Sequence, residues 1–172
     1  VQSNHPPTIN ACLEAFIDWA IDPIFFSSNW NEVLSIMFEI SNRIEFPAHQ
    51  QMATEFLVSL ACRQPKIMAA VPGYIPTMVD TLLKRLMEVD NLSIQEWNDT
   101  SDDEIVAVST ADQIEESLDQ FSLAVGGQIL VPHVIPLLVQ MINNAQEWRA
   151  RYAGLMALSL LAEGCRTRLR DS

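Results

Sequence analysis

The sequence predicts an all-α fold in which antiparallel helix pairs stack in a row, and three observations support this fold class. Apolar residues recur at helical spacing, as with Ile9, Leu13 and Phe16 near the start. The sequence lacks runs of alternating β-branched residues bounded by hairpin turns. The pattern Val-Pro-x-x-Ile-Pro occurs twice, at residues 71–76 and 131–136. Since internal repetition marks a repeat protein, we expect an α-α superhelix of about three and a half helical pairs.

The first predicted pair spans residues 8–42. Its first helix begins near Thr8 and ends before Pro23, because the residue that precedes a proline is biased away from helical backbone angles. Its second helix begins near Asn29, which has the spacing of a capping box with Glu32. The two side chains can therefore accept hydrogen bonds from backbone N–H groups that the first turn leaves without partners.

The second predicted pair spans residues 47–88. Pro47 opens its first helix, and Val71-Pro72 opens its second helix after a short helical turn at 66–70. Proline is tolerated at such starts because the first-turn N–H groups of a helix lack intrahelical partners. The same reasoning predicts that Pro132, in the other copy of the proline pattern, also opens a second-of-pair helix.

Residues 89–109 are predicted to form an acidic loop between the second and third pairs. Helical periodicity lapses there, and eleven acidic residues with no lysine or arginine lie between Glu88 and Asp119. Trp97 is the one aromatic residue of the loop. Loops of this length are uncommon inside compact domains and tend to be functional or disordered.

The third predicted pair spans residues 110–143. Thr110 and Gln113 have capping-box spacing and start its first helix, which ends at the glycine pair Gly126-Gly127. The second helix of the pair is expected to run from Pro132 to residue 143. Because a left-handed cap explains the glycine pair, it does not indicate a phosphate-binding loop.

A fourth, partial pair is predicted at residues 147–172. Its first helix, Glu147–Cys165, is apolar on nearly all sides and rich in small residues, which predicts burial between neighbouring helices. Gly154 in mid-helix costs about 1 kcal/mol relative to alanine, and close helix packing is the expected compensation. The chain stops where another helix is expected to start, which suggests an excerpt of a longer protein.

The sequence string at residues 148–158, with Ala-Glu-Gly-Cys at 162–165, resembles the first helix of a HEAT repeat in the importin-β superfamily, and most nearly its importin-5 branch. HEAT architecture fits nearly the whole chain, whereas Glu88–Trp97 and Gly126–Cys165 carry the likeness to this branch. First-of-pair helices start at spacings of roughly 39, 63 and 36 residues, against about 40–47 for HEAT and armadillo repeats. The long middle spacing is explained by the acidic loop.

This resemblance implies a segment of a nuclear transport receptor. Such a receptor binds cargo proteins through basic nuclear-localisation signals, is unloaded by the small GTPase Ran in its GTP form, and shuttles between cytoplasm and nucleus. Nucleoporins are a further class of partner that the resemblance allows. The alternative is a HEAT-repeat scaffold or adaptor subunit of a multiprotein complex, which would be indifferent to the nucleotide on Ran.

Composition restricts the partners of the chain. Its formal net charge of −12 repels nucleic-acid phosphates and favours basic proteins or peptides. The stretch Leu123–Ile142 has no formally charged residue, but glycines and prolines interrupt it, so we expect a turn and a buried helix and no membrane insertion.

Catalytic and metal-binding signatures are not found in the sequence. His5, His49 and His133 are far apart, and no zinc-protease, nucleophile-elbow or phosphate-loop motif occurs. The cysteines at positions 12, 62 and 165 form no Cys-x-x-Cys pair. We therefore expect a protein that is not an enzyme and that has no cofactor.

The acidic loop is the first candidate protein-binding site. Its residues are Glu96, Trp97, Asp99, Asp102, Asp103 and Glu104. The loop is either a solvated connection or a surface for a partner, and its tryptophan either docks on the repeats or contacts that partner. The resemblance implies that an acidic, tryptophan-containing segment at this place is a feature of the importin-5 branch, without implying its role.

Arg149 and Arg151 form the second candidate. They lie at the start of a helix, where the helix dipole disfavours cations. We expect them to pair with Glu115, Glu116 or Asp119 of the preceding pair, as a structural ladder that fixes repeat register and not as a ligand site.

Overall fold

The computed structural model describes residues 6–19, 29–43, 45–88 and 110–165. These ranges contain eight α-helices and no β-strand. The helices are α1 (Pro6–Trp19), α2 (Trp30–Ser41), α3 (Pro47–Arg63), α4 (Pro65–Ala70), α5 (Tyr74–Leu86), α6 (Thr110–Val125), α7 (Gly127–Ile142) and α8 (Trp148–Gly164). The chain divides into two compact units, Val1–Thr81 and Leu82–Ser172. The predicted all-α class is therefore confirmed.

The first unit is organised around α3, which contacts α1, α2 and α4. Its buried side chains point in several directions because it lies between neighbours, and they include Ala53, Phe56, Leu57 and Leu60. The Phe56 ring meets the ring of Phe16 edge to face, with centroids 6.0 Å apart. This arrangement is one of the favourable geometries of aromatic pairs.

A buried hydrogen bond joins α5 to α3 within this unit. Tyr74 is 1% exposed, and its hydroxyl donates to the carbonyl oxygen of Leu57 at 2.6 Å. Burial raises the pKa of Tyr74 far above the ordinary tyrosine value, so the phenol remains a neutral donor. The Phe38 ring of α2 lies 5.9 Å from the Tyr74 ring, between centroids.

The second unit consists mainly of α6, α7 and α8, which contact one another. Gly154 of α8 is buried against the end of α7, as the sequence predicted. A Cβ atom added to Gly154 would lie 2.9 Å from Ile142 Cγ1 and 3.2 Å from Met141 Cβ. The absence of a side chain therefore sets the approach of the two helices.

The start of α7 differs from the prediction. Val71-Pro72 precedes α5, as expected, but α7 begins at Gly127, so Pro132 and Pro136 lie inside it. The prediction that both proline patterns open a helix is therefore wrong for the second copy. Gly126, with φ of 77°, turns the backbone in a single left-handed residue, and α7 starts immediately after it.

The acidic loop at 89–109 and residues 166–172 lie outside the described residues. Among the helices that are described, none is long and apolar enough to cross a membrane.

Candidate protein-binding surfaces

The six acidic-loop residues singled out from the sequence all lie outside the described part of the chain. They are Glu96, Trp97, Asp99, Asp102, Asp103 and Glu104. Their role in binding stays a prediction.

The acidic run of the sequence continues into α6, where it forms one side of a groove. Asp112, Glu115, Glu116 and Asp119 are spaced three or four residues apart and therefore lie on the same side of the helix. Ser159 and Leu160 of α8 line the groove with them, and its volume is about 410 Å³. Sequence reasoning treated three of these acids only as ion-pair partners, although their spacing could have revealed the shared face.

The electrostatics of this acidic groove follow first from partial burial and second from the closeness of like charges. Burial, and in second place the neighbouring Asp112, raises the pKa of Glu115. Burial also raises the pKa of Tyr152 on α8, and the charges of Glu115 and Asp112 add to that effect. No lysine or arginine lines the groove. Its potential therefore favours a cationic group.

Arg149 and Arg151 make other contacts than those expected. Nη1 of Arg151 donates to the carbonyl oxygens of Asn144, at 2.8 Å, and of Ala145, at 3.2 Å. The Arg149 guanidinium lies over the Trp148 ring, 4.9 Å from its centroid. In the described part of the chain, neither arginine forms an ion pair with the α6 acids.

The physical reason for the contacts of Arg151 lies in the turn between α7 and α8. Carbonyl groups that follow a helix have no intrahelical donor and need another partner. Asn144 also accepts, through Oδ1, the backbone N–H groups of Gln146 and Glu147, both at 3.1 Å. The Arg151 guanidinium is hydrogen-bonded to carbonyl groups of this turn, so it does not neutralise the acidic groove. A role for the two arginines in repeat register stays a prediction.

Two observations on the described residues bear on metal-dependent and thiol chemistry. No cluster of three or more histidine, cysteine or acidic side chains there could hold a metal ion. Burial raises the pKa of the Cys62 and Cys165 thiols, which is opposite to the depressed pKa of an activated nucleophile.

Comparison with known proteins identifies the family of the chain. The family model described as "Importin repeat" matches residues 41–132, more than half of the chain. The chain belongs to the importin-β family. Importin subunit beta-3 of Saccharomyces cerevisiae is 32% identical over 149 residues, and the probable importin-5 homolog of Dictyostelium discoideum is 25% identical over 165 residues. These matches cover 83% and 86% of this chain but only 13% and 14% of the relatives.

Solved structures of the karyopherin Kap121p are similar to the chain. Kap121p bound to RanGTP matches with a TM-score of 0.84 at 27% identity, over 94% of this chain and 16% of that one. Kap121p bound to the extreme C-terminus of the protein phosphatase Cdc14p matches with a TM-score of 0.85 at the same identity and coverage. The predicted HEAT-repeat solenoid class and the likeness to the importin-5 branch are thereby confirmed for this importin-β segment.

Proposed function

We propose that the chain is part of a nuclear transport receptor that binds protein cargo and Ran-GTP and shuttles between cytoplasm and nucleus. The observation that carries this proposal is membership of the importin-β family together with similarity to Kap121p. Kap121p has been solved bound to RanGTP, to Nup53p, to Pho4p and to the SUMO protease Ulp1p. A receptor of this kind acts by binding and release, without catalysis or a cofactor.

The charge of the chain supports cargo with basic localisation signals. The formal net charge is −12, and half of the acidic residues fall between Glu88 and Asp119. An acidic surface steers cationic segments towards the protein and accelerates their association. We propose that Trp97 and the acidic residues around it contribute to this recognition, with the groove on α6 extending the same negative field.

The experiment uses the full-length protein that contains this chain and a fluorescent reporter with a lysine-rich localisation signal. The full-length protein should bind the reporter and promote its accumulation in nuclei of permeabilised cells. A matched reporter with its signal lysines replaced by glutamine should do neither. Equal binding of the two reporters, or binding without nuclear accumulation, would contradict the proposal and favour a scaffold.

The role of the acidic loop is tested separately in the same protein. Its five acids, at positions 96, 99, 102, 103 and 104, are changed to their amides, and Trp97 is retained. Weaker binding of the lysine reporter is expected, because part of the attractive field is lost. Unchanged binding of the lysine reporter would contradict this role and indicate that the loop is a solvated connection.

A further inference from the structure

We draw no further inference here: the strongest candidate, the acidic groove that Asp112, Glu115, Glu116 and Asp119 of α6 form with Ser159 and Leu160 of α8, belongs to the binding surface already proposed, and no second feature of the described residues points to a ligand other than a basic segment.

Discussion

Glu115 shows at the scale of one residue how burial and charge combine in the acidic groove. Its carboxyl pKa is raised by burial and by Asp112, so the folded state retains a proton over a pH range in which the unfolded state has lost it. The free energy of unfolding therefore falls as pH rises from the ordinary glutamate value through the raised pKa. At neutral pH the ionised Glu115 opposes folding.

We expect Glu115→Gln to raise the free energy of unfolding at pH 7 by up to ~0.5 kcal/mol, a small amount because the side chain remains partly solvated. The gain should disappear below the ordinary glutamate pKa, where Glu115 is protonated in both states. Urea denaturation at several pH values measures both effects. Glu55→Gln on an exposed part of α3 is the control and should show no such gain. A variant less stable than the parent at pH 7 would contradict this assignment.

Arg151 is the second residue with a distinct expectation. Its replacement by glutamine should cost about 1 kcal/mol of stability, because two carbonyl groups of the α7–α8 turn lose a charged donor. Combination with Glu115→Gln should be additive, since the two side chains form no ion pair in the structure. Arg149→Gln, which removes only the contact with the Trp148 ring, is the matched comparison. Strongly non-additive effects of the Arg151 and Glu115 substitutions on the free energy of unfolding would instead support the structural ladder predicted from the sequence.

At the scale of helices, the packing of α7 against α8 depends on Gly154. Gly154→Ala should lower stability by about 1 kcal/mol, because the cost of overpacking against Ile142 and Met141 exceeds the gain in helix propensity. Thermal and urea unfolding measure the change. Ala162→Gly, at an exposed position of α8, gives the propensity effect alone. A more stable Gly154→Ala variant would show that the two helices can separate without cost.

Periodicity predicted the helices of the chain well because burial of an apolar face is a local pattern. The start of α7 was predicted wrongly because both Gly126-Gly127 and Pro132 are typical of helix boundaries. Of these residues, only Gly126 adopts a left-handed backbone conformation. Pro132 and Pro136 lie inside α7 on its exposed side, a placement that the general disfavour of proline in helix interiors argued against. The groove also depends on α8, whose placement beside α6 is a tertiary property.

At the scale of the whole molecule, the chain belongs to the importin-β family and matches its relatives over part of their length. The match with importin subunit beta-3 covers 13% of that protein, so this relative is much longer than the chain. Helix pairs in repeat proteins bury their apolar faces against neighbouring repeats. The proposed contacts with cargo and with Ran are therefore tested on the full-length protein that contains this chain.

Binding of Ran to the full-length protein, measured in parallel with Ran loaded with GTP and with GDP, tests the central claim most directly. A transport receptor is expected to bind Ran-GTP much more tightly than Ran-GDP and to release a basic cargo reporter only in the presence of Ran-GTP. Equal binding of the two nucleotide states, with cargo retained in both, would contradict the assignment as a nuclear transport receptor.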